Sequence, residues 1–373
     1  MPEFIEQQYK SIINKLKYID NWFWTRYTIN PYNGCLFGCI YCDARSAKYH
    51  MPEDFENKIV VKMNVGAMLD QRLSRARTFH PDVVGIGGVT DCYQAAEKIY
   101  GNTRAILKTL RKHRFPTHII TKSTLVLRDL NLLEAIAEEN WCTVSLTITT
   151  TSKEVARFVD FRAPSPQKRF ETVAEIKKRA PKVQVGVLLI PLIPYLCDSD
   201  EDLENVIRQA KDAGADYVLF GGGMTMRDQQ AKWFLKHLNA RYPELMPKYE
   251  KLYKFSYTPD VYSGAYIPTA NYMLAKHRKL FELCEKYDMP HRMNRFIPND
   301  DRRENYLVAE AMLNEAWEQQ ALGKPWQNVF WAGQNFQNTL EPLSKLAKQN
   351  RLGEIRNVLG NIEDKVLSLL AQL

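Results

Sequence analysis

The sequence predicts an α/β protein in which helices wrap a parallel sheet, followed by a mostly helical C-terminal region. Between about residues 25 and 225, short apolar runs alternate with helical patterns and short loops, which is typical of a parallel sheet covered by helices. After residue 226 the strand-like runs stop and helical periodicity continues. We therefore expect a helical lead-in over 1–24, an α/β domain over 25–225 and a mainly helical region over 226–373.

The individual elements follow from apolar periodicity. Glu3 to Lys17 is expected to form an amphipathic helix because its isoleucines and Leu16 recur at roughly helical spacing. The predicted strands are Thr25–Asn30, Lys58–Met63, Val83–Ile86, Thr117–Thr121, Cys142–Thr149, Gln184–Ile190 and Tyr217–Phe220. The predicted helices between them are Val65–Thr78, Ala95–Lys112, Asp129–Glu139, Lys153–Phe158, Pro166–Arg179 and Asp200–Ala213. Further helices are predicted over Gln229–Asn239, Ala270–Tyr287, Arg302–Gln319 and, with a break, Glu341–Leu370, whereas Tyr249–Pro268 is expected to be a loop.

Composition places the chain among ordinary soluble globular proteins, with 45% hydrophobic and 25% charged residues. We expect neither a signal peptide nor a membrane span, because Met1 to Lys17 is polar and the longest apolar run, Val185–Cys197, is short and contains two prolines. Seven mostly scattered cysteines are typical of the reducing cytoplasm. The net charge of +8 mildly favours an anionic partner, with a solvated basic surface as the alternative.

Three cysteines lie within eight residues, at Cys35, Cys39 and Cys42, with the spacing C-x3-C-x2-C. Thiolates are soft ligands that suit iron–sulfur clusters or zinc. Three thiolates would leave one iron of a four-iron cluster open, whereas a structural zinc would require a fourth ligand that this stretch lacks. Zinc binding and simple burial of the thiols stay open as alternatives.

The stretch from Asn30 to Arg45, NPYNGCLFGCIYCDAR, resembles the cluster-binding loop of the radical S-adenosylmethionine (SAM) superfamily. Its flanks are similar to the branch related to spore photoproduct lyase, the DNA repair photolyase-like proteins. The resemblance implies a partial (β/α)6 radical SAM barrel with Lys58–Met63 as an insertion. It also implies a [4Fe–4S] cluster on the three cysteines, SAM on the open iron, and an electron donor such as flavodoxin or ferredoxin. Nucleic acid is left open as a partner, and no oligomeric state is predicted.

The same resemblance implies contacts to SAM at the ends of the next strands. A glycine-rich segment, Gly87 and Gly88 with Asp91, would hold the amino group, although glycine turns after strands are common. Lys122 and Ser145 would contact the carboxylate, a surface lysine being the alternative for Lys122. Tyr41, the aromatic residue directly before the last cluster cysteine, is also expected to contact the cofactor. Three arginines surround Ala163–Pro166, another sequence block that the branch shares; they are Arg157, Arg162 and Arg169. Their guanidinium groups are equally consistent with binding a carboxylate or phosphate and with exposure on a helix surface.

Two departures from the branch concern the substrate. The hydrogen-donor cysteine of spore photoproduct lyase would lie near Gly88, where this chain has none, and Asp43 replaces the usual tyrosine after the last cluster cysteine. Cys92, Tyr93 and Cys197 are alternative donor candidates, with ordinary burial as the other interpretation.

The resulting prediction is a radical SAM enzyme that abstracts a hydrogen atom from an unidentified substrate, with DNA-lesion repair as one option. The alternatives are radical modification of RNA, a peptide or a small molecule, and a non-catalytic, metal-stabilised nucleic-acid-binding protein. The basic and aromatic segment from Lys232 to Tyr257 could follow a phosphate backbone, but a core face with solvated lysines explains it as well.

Overall fold

The computed structural model describes residues 2–76, 78–358 and 360–373. Residue 1 of the predicted lead-in, residue 77 of the predicted helix Val65–Thr78 and residue 359 of the predicted segment Glu341–Leu370 lie outside the described residues.

A seven-stranded sheet forms the core of the larger part of the chain. Its strands are β2 (Ile13–Lys15), β3 (Tyr27–Ile29), β6 (Val84–Ile86), β7 (Thr117–Thr121), β8 (Cys142–Thr147), β9 (Gln184–Leu189) and β10 (Tyr217–Phe220). Their order is β10-β9-β8-β7-β6-β3-β2, and the pairing is parallel except between β2 and β3 at one edge. The predicted α/β class with six parallel strands is therefore confirmed.

Helices connect the parallel strands, as crossover connections require. They are α1 (Val65–Arg75), α2 (Ala96–Tyr100), α3 (Asn102–Lys112), α4 (Leu130–Glu139), α5 (Lys153–Val159), α6 (Pro166–Arg179) and α7 (Asp200–Asp212). The single helix predicted over Ala95–Lys112 is divided at Gly101 into α2 and α3. Downstream lie α8 (Asp228–Arg241), α9 (Met246–Tyr253), α10 (Ala270–Lys286), α11 (Arg303–Ala321), α12 (Gln327–Phe336), α13 (Leu343–Lys348) and α14 (Asn361–Leu370).

The predicted N-terminal helix is wrong. Glu3 to Lys17 instead contains β1 (Glu3–Gln7) and β2. β1 pairs in parallel with β5 (Lys58–Lys62), whose other neighbour is the short β4 (Tyr32–Asn33). These non-local backbone bonds outweigh a weak helical pattern that rested only on the isoleucines and Leu16. β5 is the predicted insertion, and it lies outside the main sheet.

The chain divides into two compact units, and their limits differ from the predicted boundaries at 24/25 and 225/226. Residues 1–15 and 27–293 form the first unit, and residues 16–26 and 294–373 form the second. The first unit extends beyond 225 because α8 and α9 pack in one apolar cluster with the cysteine loop. In the second unit, Trp22 and Trp317 pack edge to face, 5.8 Å apart between ring centroids.

Among the described residues, no helix is both long enough and apolar enough to cross a membrane.

Candidate functional site

The three clustered cysteines lie beyond β3, in the loop that follows the short β4, at the carboxyl end of the parallel sheet. Gly34 begins the loop with φ +90°, and a Cβ there would lie 2.4 Å from the carbonyl oxygen of Lys58, so this turn requires glycine. The N–H of Cys35 donates to the carbonyl of Phe55 (2.8 Å). The N–H of Ile40 donates to the carbonyl of Val159 at the end of α5 (3.1 Å). The chain on both sides thus fixes the position of the loop.

Gln94 holds the same loop from the β6 side. Its side-chain oxygen accepts from the N–H of Leu36 (3.0 Å), and its amide nitrogen donates to the carbonyl of Gly34 (2.9 Å). Cys35 and Cys39 are buried and Cys42 is partly buried, and none forms a disulfide. Burial, with the carboxylate of Asp91 next, raises the pKa of Cys35 to about 12. A thiol with a raised pKa is protonated and neutral near pH 7, so a bound cluster would have to displace its proton.

A buried ion pair lies against the cysteine loop. Arg169 contacts the carboxylate of Asp160 at 2.9 Å, and each side chain is 2% exposed. Arg169 also donates to the carbonyls of Pro164 and Thr147, both at 2.8 Å. Asp160 directly follows Val159, the residue that bonds the loop. Its carboxylate, after burial, is the largest influence that raises the pKa of Cys39. Charged groups of both signs therefore lie beside one candidate cluster ligand.

Lys122 reaches the same place from the end of β7. Its Nζ lies 5.4 Å from the centre of the Tyr41 ring. Burial opposes its charge, but Cys39 and Asp160 favour it, and the pKa of Lys122 is raised on balance. The structure thus brings Lys122 close to Tyr41 of the cysteine loop, and the predicted contacts of both residues with SAM stay predictions.

Asp91 joins the ends of β6 and β7. Its carboxylate accepts from the backbone N–H groups of Lys122 (2.7 Å) and Tyr93 (2.8 Å) and from the hydroxyl of Thr121 (2.7 Å). These bonds position the backbone of Lys122. They also occupy most of the carboxylate, so Asp91 acts here on the protein and its predicted ligand contact stays a prediction.

Ser145 lies deeper than the sequence suggested. It is paired in register with Ile120, two residues before Lys122 on β7, and it is fully buried. Its hydroxyl is 2.7 Å from Nε2 of His118 and 2.6 Å from the hydroxyl of Tyr217. Ser145 is therefore part of a polar layer inside the sheet, and its contact with a cofactor carboxylate stays a prediction.

Comparisons with known proteins decide the family. A family model described as the radical SAM superfamily matches residues 29–203, which span the cysteine loop and most of the parallel strands. An uncharacterised protein of Mycobacterium tuberculosis is 33% identical over 258 residues, which is 68% of this chain and 75% of that protein. The chain belongs to the radical SAM superfamily.

Two further similarities extend this result. An uncharacterised protein of Methanocaldococcus jannaschii is 28% identical over 220 residues, 59% of this chain and 77% of that protein. A solved spore photoproduct lyase complexed with dinucleoside spore photoproduct has a TM-score of 0.55 at 13% identity, covering 76% of this chain and 79% of that chain. At this identity the likeness shows the fold alone, and it confirms the predicted radical SAM barrel with a spore photoproduct lyase-like fold.

The radical SAM family implies a [4Fe–4S] cluster and SAM, and the residues of this site fit both. Three free cysteines share one loop, and beside it the buried Nη2 of Arg169 has no hydrogen-bond partner among the described residues. A buried guanidinium N–H of this kind suits an anionic group such as a carboxylate. Within the described ranges, no three Cys, His, Asp or Glu side chains converge on a single metal ion. Cluster ligands need not converge, because each binds a different iron.

The three donor candidates differ in their surroundings. Sγ of Cys92 lies 3.9 Å from the carbonyl of Ile86 and 3.8 Å from the carbonyl of Ile120, near the carboxyl ends of β6 and β7. The hydroxyl of Tyr93 donates to Asp129 (3.1 Å). Cys197 is 1% exposed and belongs to the apolar cluster that contains Cys35, Cys39 and Tyr41. Cys197 thus shares an apolar cluster with the cysteine loop, and the role of each candidate stays a prediction.

Sequence reasoning missed Asp160. The available signal was an isolated acidic residue among three arginines, which favours an ion pair. Of those arginines, Arg157 and Arg162 are exposed and only Arg169 is buried.

Proposed function

We propose that this radical SAM enzyme abstracts a hydrogen atom from its substrate, with a [4Fe–4S] cluster held by Cys35, Cys39 and Cys42. When bound, the reduced cluster supplies the electron that splits SAM into methionine and a 5′-deoxyadenosyl radical. The observation that carries the proposal is the cysteine loop at the carboxyl end of a parallel sheet, with Lys122 and the Asp160–Arg169 pair beside it. Chemistry in such sheets gathers at this end.

The chain's own residues would bind and shield the cofactor. The Lys122 ammonium and the unpartnered Nη2 of Arg169 suit a carboxylate, while the Asp160 carboxylate beside Cys39 suits an ammonium group. Gly88 leaves open space where backbone can approach a ligand, since a Cβ there would meet nothing within 4 Å. The buried apolar cluster around Cys39, Tyr41 and Cys197 would exclude water from a reactive radical.

The first test is anaerobic reconstitution with iron and sulfide, followed by dithionite, SAM and measurement of 5′-deoxyadenosine. We expect product from the wild type and none from Cys39→Ala. Cys284→Ala is the matched control, because Cys284 is a buried thiol on α10 outside this loop. A well-loaded cluster that forms no 5′-deoxyadenosine, with or without candidate substrates, would contradict the proposal.

The role of Lys122 has its own test. Lys122→Ala should raise the KM for SAM by about tenfold or more, the loss of one charge-assisted contact. Lys98→Ala, at an exposed lysine on α2, is the control. A Lys122→Ala enzyme that cleaves SAM as fast as the wild type would refute the carboxylate assignment.

For the substrate we propose a damaged nucleic acid as the first class to test. The net charge of +8 and the fold shared with a lesion-bound spore photoproduct lyase support this choice. RNA, peptides and small molecules are the competing substrate classes. Oligonucleotide binding that weakens steeply with salt would favour nucleic acid, and salt-independent or undetectable binding would favour the others.

A further inference from the structure

A cavity of about 610 Å³ lies beside the cysteine loop and outside the group of residues described above. It is bounded by the segment that follows Cys42 and by α8, and its lining includes Arg45, His50, Phe55, Lys232, Trp233 and Lys236. Arg45 is three residues from Cys42, and its N–H donates to the Cys42 carbonyl at 3.1 Å. The cavity is therefore adjacent to the loop that carries the cluster ligands.

Arg45 has a fixed orientation at this cavity. Its guanidinium carbon lies 4.4 Å from the centre of the Phe55 ring and 4.1 Å from the Trp233 ring, so the group is held between two aromatic side chains. Nη1 contacts Glu56 at 3.2 Å, and the Arg45 side chain is 7% exposed. Packing of this kind fixes the plane of the Arg45 guanidinium group, the forked end of the side chain, even when no ligand is bound.

The other edge of the Arg45 fork is unsatisfied. Nε and Nη2 are buried and have no hydrogen-bond partner in the described parts of the chain. These two groups form the side of a guanidinium that binds two oxygens of one oxyanion. This edge of the Arg45 fork therefore has no anionic partner among the described side chains.

Two lysines add charge to the same cavity. Lys232 and Lys236 are one turn apart on α8, line the cavity, and have no ion pair among the described residues. Two carboxylates, Glu53 and Asp260, also line it and are exposed. A third carboxylate, Glu56, pairs with Nη1 of Arg45 on its other edge. The two lysines and the free edge of Arg45 suit an oxyanion that carries more than one charge.

We propose that this cavity binds a phosphate group. Nε and Nη2 of Arg45 would donate to two phosphate oxygens, and Lys232 and Lys236 would neutralise the remaining negative charge. Trp233 is covered by Arg45 on one side and packs against His237, 4.5 Å between ring centroids, so it offers little ring surface for a base. Recognition would therefore be of the phosphate and not of base identity. Phosphate binding here does not depend on the proposed SAM chemistry. The phosphate could belong either to a free nucleotide or to a nucleic-acid backbone.

The test measures binding to the anaerobically reconstituted full chain with two probes: inorganic pyrophosphate by calorimetry, and a fluorescent single-stranded 12-nucleotide DNA by anisotropy. Lys232→Gln/Lys236→Gln should weaken both about tenfold, and its salt slope for DNA should fall by about one. Arg45→Lys keeps the charge but loses the two-oxygen edge, and should weaken both probes as well. Lys178→Gln/Lys182→Gln removes two exposed lysines at the other end of the sheet and should bind like the wild type.

Each outcome bears on the proposal. Tight DNA with weak pyrophosphate binding identifies a backbone phosphate, and the reverse identifies a free phosphate compound; both support the site if the α8 double variant loses affinity. Absence of binding to both probes, or equal affinity of the α8 variant and its control, overturns it. Iron content and 5′-deoxyadenosine formation, measured on the same samples, report the proposed SAM chemistry separately. If Arg45→Lys fails to load iron, the α8 variant alone decides.

Discussion

Gly87 and Gly88 are adjacent in the turn after β6, but their surroundings differ. Gly87 has φ +92°, and a Cβ there would lie 2.2 Å from the carbonyl oxygen of Ile120 on β7. At Gly88 a Cβ would meet nothing within 4 Å. We expect Gly87→Ala to destabilise the fold by about 2 kcal/mol or more, because it combines a strained φ with a backbone clash. Gly88→Ala should melt like the wild type but bind SAM more weakly. Equal melting temperatures of the two variants would contradict this distinction.

Asp160 and Arg169 form the second residue-scale case. Asp160→Asn leaves a buried guanidinium without its counter-charge, and should cost about 3 kcal/mol of unfolding free energy in urea titrations. The double change Asp160→Asn/Arg169→Gln should cost less than the sum of the single changes, because the pair is coupled. Glu154→Gln breaks an exposed pair with Arg241, whose side chains are 69% and 59% exposed, and should cost less than about 1 kcal/mol. A cost as small for Asp160→Asn would show that the buried pair contributes little.

At the scale of elements, strand register decides what Ser145 does. β8 places this residue one pleat below Lys122, where its hydroxyl bonds both His118 and Tyr217. Ser145→Ala should therefore cost about 1–3 kcal/mol of stability and leave the KM for SAM unchanged. Lys122→Ala should show the opposite pattern, with a raised KM and little loss of stability. A raised KM in Ser145→Ala at wild-type stability would contradict this expectation and support the sequence-based prediction that its hydroxyl contacts the cofactor.

Local pattern predicted the parallel strands well because each one is a short buried run of mainly β-branched or apolar residues, as in β7 and β10, whose bounds match the prediction. It failed where distant backbone decides the structure, as in β1, which forms through its pairing with β5. α9 was missed because Tyr249 and its polar neighbours resemble a loop, yet that tyrosine is fully buried in the apolar cluster. α12 was also missed.

The same contrast holds for the site across the whole molecule. The three candidate ligand cysteines could be found in the sequence because all of them lie within eight residues of one loop. Asp160 and Arg45 could not, because their importance depends on residues far along the chain, such as Cys39 for Asp160 and Trp233 for Arg45. The spacing of residues in the sequence reveals candidate ligands that lie close together in one loop. The role of a buried charged residue becomes clear only when the structure shows which distant residues it contacts.

The division into two units leads to a prediction about truncation. Residues 16–26 belong with 294–373: Trp24 and Ile19 are buried, the Ile19 carbonyl accepts from Gln334 (2.9 Å), and Arg26 donates to Asn338 (2.9 Å). A chain ending at Met293 would expose these apolar side chains, so we expect it to aggregate in size-exclusion chromatography. Replacing residues 16–26 with a Gly/Ser linker of equal length should restore a soluble protein that still loads iron, because Cys35, Cys39 and Cys42 all lie in the first unit. A simple 1–293 chain that stays monodisperse and as stable as the full chain would contradict this assignment.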